Sequence, residues 1–205
     1  MKTIIAVETA SKICSIALYI DGKFIKIFES DEPKDHVRAL PTFTRNIVKE
    51  NRINFTDLDA IAISKGPGSY TGLRVGMSFV KGLAYSLGIP IIPISTTEAI
   101  NSINSIKEKH WVGLYSHKNF VFAQMYKGTQ ERSEAQCLSF ESLTDYPLYA
   151  VDMENMSYMG KIFNLKTSAK IIGDLAIKKF DDLAAYDIKK LKPFYLTEYS
   201  KKNDY

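Results

Sequence analysis

Apolar residues fall in two spacings along this chain, and the switch between them predicts the order of its elements. Ile4 to Val7 is a short continuous apolar run, followed by extended stretches at Cys14–Ile20 and Lys23–Phe28. Asp21-Gly22 between the latter two is a two-residue hairpin turn. Helical spacing takes over at Val37, Leu40, Phe43, Ile47 and Val48, one face of a helix running from an Asp35 cap to about Asn51. Pro41 inside it predicts a kink or an unpaired carbonyl. Ala60 to Ser64 is a buried strand, and Leu73, Met77, Val80, Ala84 and Leu87 mark a second helix with Gly88 as its C-cap. Ile89 to Ile94 is an apolar strand restricted by Pro90 and Pro93. Ser95-Thr96-Thr97-Glu98 is a capping box that opens a helix to about Ile106.

The second half carries a weaker pattern. Trp111–Tyr115 and Phe120–Tyr126 form a hairpin around Ser116-His117-Lys118-Asn119. Cys137–Phe140 and Leu148–Val151 add short strands, with helices near Met153–Leu165 and Ala169–Phe180. Pro193-Phe194-Tyr195-Leu196 is extended and aromatic, too apolar for a loose tail, and is expected to dock. The order β-β-β-α-β-α-β-α over the first half predicts a mixed sheet with flanking helices, not a doubly wound parallel one. No repeat has a fixed sequence period. The best boundary lies near Ser95–Thr97, dividing the chain into residues 1–97 and 98–205.

Composition narrows the class. The 205 residues, 45% of them apolar and 24% charged, suit one or two globular domains. A net charge of +4 is too weak to imply nucleic acid by itself. Lysines thicken at Lys189, Lys190, Lys192, Lys201 and Lys202, which reads first as a solvated face or tail. Cys14 and Cys137 fit neither a metal cluster nor a disulfide framework and read as reduced. Met1 to Val7 resembles an export signal only until Glu8 interrupts it, and no apolar run reaches membrane-spanning length. A soluble, cytoplasmic protein with no membrane association is the expectation. His36 lacks a second ligand one helical turn away, which argues against a histidine-built metal site.

Candidate chemistry concentrates in Lys65-Gly66-Pro67-Gly68-Ser69-Tyr70-Thr71-Gly72-Leu73-Arg74-Val75-Gly76, a glycine-rich turn from strand into helix. A helix start there attracts anions, and Arg74 could add a charge-assisted bond. Gly66, Gly68, Ser69, Thr71, Gly72 and Arg74, with Glu8 and Thr9 at the first strand's end, are the candidate phosphate or Mg²⁺ contacts. The loop is no Walker motif, having no lysine inside the turn, and matches a dinucleotide fingerprint only loosely as Gly66-x-Gly68-x-x-x-Gly72. The competing reading is steric: Gly72 and Gly76, then Ser78, Gly82 and Ser86, make two small-residue stripes that let another backbone pack close. Chemistry alone favours that reading, with Gly68 at a backbone angle open mainly to glycine.

Taken together, Ala6-Val7-Glu8-Thr9-Ala10-Ser11, Cys14-Ser15-Ile16-Ala17-Leu18, Asp35-His36-Val37-Arg38-Ala39-Leu40-Pro41, the glycine run, Ser95-Thr96-Thr97-Glu98-Ala99 and Leu191-Lys192-Pro193-Phe194-Tyr195-Leu196 resemble the bacterial TsaB (YeaZ) family. The match is dense over residues 1–100 and thin afterwards. The resemblance implies an α/β actin/Hsp70/sugar-kinase-like fold of two related lobes with mixed sheets, the second reduced. It implies a non-catalytic scaffold with no cofactor of its own, apart from weak nucleotide binding. ATP and metal would sit on its partners, a TsaD-like catalytic subunit and a TsaE-like ATPase. The product would be N6-threonylcarbamoyladenosine beside the anticodon of tRNAs reading codons that begin with A, with tRNA contacted indirectly. The chain alone would be a homodimer, and Leu40, Phe43, Ile47, Gly72, Val75, Gly76 and Phe79 would form the partner interface. Two positions differ from the family pattern: Glu8 stands where Asp is usual, and Ser116-His117-Lys118 where an Asp-Ala-Arg turn is common. The alternatives are a stand-alone ATPase or small-molecule kinase of the same fold, and a dinucleotide-dependent oxidoreductase, which Pro67 and the strand meander disfavour.

Overall fold

The positive φ angles of Asp21 and Gly22, 53° and 75°, close a tight hairpin between β2 (Cys14–Ile20) and β3 (Lys23–Ser30). The computed structural model describes residues 2–32, 35–154, 156 and 158–196. The hairpin joins β1 (Thr3–Glu8), β4 (Ala60–Gly66) and β5 (Ile91–Ser95) in one sheet of order β3-β2-β1-β4-β5. β1, β2 and β3 form an antiparallel meander, whereas β4 and β5 run parallel to β1.

Both faces of the sheet are buried at β1, β2, β4 and β5, so these strands are largely apolar and do not alternate with polar residues, whereas the edge strand β3 carries Lys23, Lys26 and Glu29 and is exposed or half-buried along its length. Ile5, Val7, Ile16, Leu18, Ile61 and Ile63 point to α1 (His36–Glu50) and α2 (Tyr70–Leu87), meeting Leu40, Ile47, Met77 and Val80. Ile4, Ala6, Ala17, Ala60, Ala62 and Ile92 point the other way, to Ile172, Leu175 and Ala176 of α4 (Ala169–Lys178). Pro41 lies inside α1, which continues past it. Asp35 stands at the N-cap without capping; its carboxylate accepts from Arg38 Nε at 2.8 Å instead. Gly88 ends α2 in the left-handed conformation, φ 68°, as the sequence predicts.

α3 (Thr96–Asn101) stops well before Ile106. Asn101 Nδ2 donates to the Gly128 carbonyl and its Oδ1 lies 2.7 Å from His110 Nε2, which turns the chain into the second sheet. That sheet comprises β6 (Lys109–His117), β7 (Phe120–Lys127), β8 (Gln130–Glu131), β9 (Gln136–Ser139), β10 (Leu148–Val151) and β11 (Ile162–Leu165). Its order is β11-β10-β6-β7-β8, with β9 also antiparallel to β7. β10 and β11 run parallel to β6. The second sheet therefore repeats the first: an antiparallel meander, then two parallel strands on the other side of the starting strand. The repeat is reduced, since a short 3-10 turn at Phe140–Ser142 stands where the first lobe has α1, and a loop stands where it has α2. This is the actin/Hsp70/sugar-kinase-like fold.

The helix predicted near Met153–Leu165 is not formed. Those residues are a loop ending in the strand β11, and Met153 and Met156 cover the outer face of the second sheet beside Trp111 and Leu148. Apolar residues in a covering loop mimic helical spacing. Lys201 and Lys202 lie outside the described residues.

Gly68 has no positive φ; the left-handed angle belongs to Gly66, at 111°. Gly68 is glycine for want of space, because a Cβ there would meet the Ala10 carbonyl oxygen at 2.5 Å. The same holds along α2, where a Cβ on Gly72 would lie 2.1 Å from the Thr9 carbonyl oxygen and one on Gly76 2.2 Å from Thr9 Oγ1. Gly82, on the exposed side of the helix, has open space around it. Gly72→Ala is expected to lose roughly 1–3 kcal/mol by overpacking, and Gly82→Ala to gain roughly 0.5–1 kcal/mol from helix propensity. Urea denaturation checks the pair; equal effects would mean that α2 does not seat on β1's end as described.

Candidate functional site

β1, α2 and the β6–β7 hairpin bring their ends together around one cleft between the lobes, about 1100 Å³ in volume. Its floor is Ala10, Ser11 and the Gly68–Gly72 turn. Lys12, His36 and His117 bring nitrogen groups to it, and Asp31 and Asp152 carboxylates. Tyr195 and Leu196 line it from the C-terminal segment, which docks as expected: Phe194 N–H donates to the Lys65 carbonyl at 2.7 Å, and Tyr195 packs against Tyr70 in a tilted pair with centroids 4.9 Å apart. Gly66's conformation allows this approach, since a Cβ there would lie 2.5 Å from the Phe194 carbonyl oxygen.

Of the predicted anion-loop residues, Gly68, Ser69, Thr71 and Gly72 line the cleft, while Glu8, Thr9, Gly66 and Arg74 do not. Several donors of the turn are already engaged. Ser69 N–H donates to the Ala10 carbonyl at 2.7 Å, Gly72 N–H to Ser69 Oγ at 3.2 Å, and Gly66 N–H to Thr96 Oγ1 at 3.2 Å. A loop whose amides face protein acceptors has fewer left for a phosphate. Arg74 is exposed and engages a side chain of the turn itself: it donates to the Tyr70 hydroxyl at 3.1 Å and lies over that ring. Arg74 forms no ion pair with Glu8, which is buried.

Glu8 is fully buried at the end of β1, on the sheet face that Ala6 shares and α4 covers. Its Oε1 accepts from Ala10 N–H, and its Oε2 has no hydrogen-bond partner, nor has Thr9 Oγ1. Burial pushes the Glu8 carboxyl up to about 7, against the lowering effect of the Ala10 and Ser64 hydrogen bonds. Across the cleft, burial likewise raises Asp152, although Lys12 N–H donates to it at 3.0 Å. Desolvation lowers His36, whose Nε2 is buried without a partner, and a hydrogen bond with the Ser11 backbone opposes that shift. No group of three or more His, Cys, Asp or Glu side chains among the described residues is placed to hold a metal ion. No helix among them is long and apolar enough to cross a membrane.

The predicted interface residues need correction. Leu40, Ile47, Gly72 and Gly76 are buried inside this chain's own core, because α1 and α2 turn them to the sheet or to Thr9, so no partner can reach them. Phe43, Val75 and Phe79 are half-buried at its edge. The outward side carries Val37 and Pro41 on α1 and Thr71, Ser78 and Gly82 on α2. Sequence reasoning missed Lys12, His36 and Asp152 as cleft residues, since only folding brings positions so far apart together; the one signal was that Ser116-His117-Lys118 departs from a family pattern.

Fold and cleft define a two-lobed protein of the actin/Hsp70/sugar-kinase-like class. The family described as tRNA N6-adenosine threonylcarbamoyltransferase, TsaD, matches residues 30–190. The tRNA threonylcarbamoyladenosine biosynthesis protein TsaB of Escherichia coli is 37% identical over 93 residues, 45% of this chain and 40% of that protein. The protein of the same name from Bacillus subtilis is 32% identical over 136 residues, 60% of this chain and 59% of that protein. The aligned stretches thus span about half the length of these relatives. The structure of YeaZ from Pseudomonas aeruginosa superposes with a TM-score of 0.79 over 96% of this chain and 100% of that one, at 22% identity. The chain belongs to the TsaD-type threonylcarbamoyltransferase family, on its TsaB (YeaZ) branch.

The raised Glu8 carboxyl gives a signed prediction. The folded state holds this proton more tightly than the unfolded chain, so the associated stability is complete below about 4.5 and is lost as pH rises through about 7. Between pH 5 and 8 the native chain is expected to lose on the order of 2–3 kcal/mol more than Glu8→Gln, at 1.36 kcal/mol per unit. Chemical denaturation at several pH values checks this, and parallel profiles for the two proteins would refute it.

Proposed function

We propose that this protein is a non-catalytic scaffold in the formation of N6-threonylcarbamoyladenosine beside the anticodon of tRNAs that read codons beginning with A. Its partner is a TsaD-like subunit that carries the metal and the transfer chemistry, and a TsaE-like ATPase joins them; the chain alone pairs with itself. The observation that carries the reading is the placement of Glu8. The carboxylate at the end of β1 is fully buried with its Oε1 on Ala10 N–H, and it does not line the interlobe cleft. A phosphoryl-transfer enzyme needs carboxylates facing metal-bound phosphates. Family membership supports a role in threonylcarbamoyladenosine formation, and the buried acid argues that this chain is not where the transfer occurs.

A stand-alone ATPase or small-molecule kinase is the second reading, favoured by the size of the cleft and by Lys12 and His117 on its walls. Reconstitution separates the two. With a TsaD-like subunit, a TsaE-like ATPase, ATP, threonylcarbamoyl-adenylate and tRNA, modified nucleoside is expected only when this chain is added, and the chain alone is expected to leave ATP intact. ATP turnover by the purified chain that Lys12→Ala abolishes would favour the kinase instead.

The docking face proposed for the partner is the outward side of α1 and α2. Ser78 is exposed at mid-helix on α2, so Ser78→Arg adds a bulky charge without touching the core. It is expected to weaken association with the TsaD-like subunit at least tenfold, which corresponds to about 1.4 kcal/mol, with an unchanged melting temperature. Unchanged affinity by light scattering or titration calorimetry would remove this face from the interface.

A further inference from the structure

Tyr85 and Tyr186 are 75% and 74% exposed, more than any other aromatic side chain among the described residues. They come from distant parts of the chain, the last turn of α2 and the segment after α5 (Phe180–Leu183), yet they line one groove of about 380 Å³. Ala84, Gly88, Ile89 and Ile188 give it an apolar lining, and Lys189 borders it. Tyr85 lies roughly 22 Å along the helix axis from Tyr70 at the interlobe cleft, by the rise of an α-helix. The groove is therefore separate from the site described above.

The charge around it is one-sided. Lys81 Nζ donates to the Lys189 carbonyl at 3.3 Å, which holds that ammonium at the groove's edge. Lys189 and Lys190 are exposed, and Lys192 follows them. The carboxylate in the groove, Asp187, is paired with Lys190 Nζ at 2.9 Å. Solvent-facing rings flanked by ammonium groups offer stacking surfaces to unpaired bases and counter-charge to the phosphates that join them. A duplex keeps its bases stacked inside and gives such rings nothing to stack on. An apolar peptide would use the lining and leave the lysine surplus unused, and an acidic one would leave the two exposed rings with nothing to stack on.

We infer that the Tyr85–Tyr186 groove binds a short unpaired stretch of RNA, with the two rings as stacking platforms and Lys81 and Lys189 as phosphate contacts. This goes beyond the scaffold reading, which gives the chain no direct contact with RNA, and rests on it only for RNA over DNA. The lysine run stands out in the sequence, and the groove gives it a role that a solvated face does not.

The test uses the purified chain alone, so its failure is distinct from a failure of the reconstitution. Fluorescence anisotropy follows a labelled ten-nucleotide single-stranded RNA and a duplex of the same length at low salt. Single-stranded RNA is expected to bind more tightly than duplex. Tyr85→Ala and Tyr186→Ala should each weaken binding about tenfold, within the range for loss of one stacked base, with no change in melting temperature. Tyr85→Phe and Tyr186→Phe should retain binding within about twofold, since the ring and not the hydroxyl is used. Lys81→Glu and Lys189→Glu should reduce the dependence of affinity on salt. Absence of binding, equal affinity for duplex, or alanine variants that bind like the native chain would overturn the assignment. So would alanine variants that lose the TsaD-like subunit while RNA binding stays flat, which would make the groove a protein contact.

Discussion

The structure depends on one close approach, that of α2 to the turn at the end of β1. Gly68, Gly72 and Gly76 carry no side chains because the Thr9 and Ala10 backbone and the Thr9 hydroxyl occupy the space a Cβ would need. The turn is tied down by Ser69 N–H on the Ala10 carbonyl, so helix and strand end are locked at backbone distance. Several features follow. Thr9 is sealed from solvent, the Ser69 and Gly72 amides face protein acceptors, and the C-terminal segment can reach Lys65 beside the glycine at 66. Three amides of a loop that looks built for an anion, those of Gly66, Ser69 and Gly72, already face acceptors of its own chain.

The two lobes are one topology used twice, and the helix after each sheet crosses to the other lobe. α3 leaves β5 and sends Ile100 against Val112, Leu114 and Phe122 of the second sheet. α4 leaves β11 and packs Ile172 and Ala176 on the first sheet. Lys179, just past α4, pairs with Glu98 of α3 where the two helices meet. This exchange ties the lobes together across the cleft. Burying both faces of the first sheet with three helices also concentrates the core there, and the second lobe covers its outer face with loops.

The first hundred residues were legible because each element there carries its own local signal: Asp21-Gly22 for the hairpin, Gly88 for the end of α2, and helical spacing at Leu73, Met77 and Val80. The second lobe was less legible for a physical reason. Its strands are short, and the outer face of its sheet is covered by loop residues such as Met153 and Met156, whose spacing imitates a helix. The repeat between lobes lies in strand order and not in residues, so no sequence period reveals it. At the site, the glycine stripe was rightly weighed towards close packing, but its partner was placed in another chain when it is Thr9 of this one. The left-handed residue was assigned to Gly68 when it is Gly66, because only the docked Phe194 shows where the chain must bend. Lys12, His36 and Asp152 gather at the cleft from three separate loops and helix ends, which no local pattern announces.

The central claim is that this chain works through an outer surface of α1 and α2 and not through its cleft. Hydrogen–deuterium exchange of the chain with and without a TsaD-like subunit, and separately with ATP and Mg²⁺, tests that most directly. The account predicts slowed exchange across residues 36–50 and 70–87 when the partner is added, and little change at residues 10–12, 115–117 and 152 with nucleotide. Slowed exchange confined to the cleft segments, driven by nucleotide and indifferent to the partner, would contradict it.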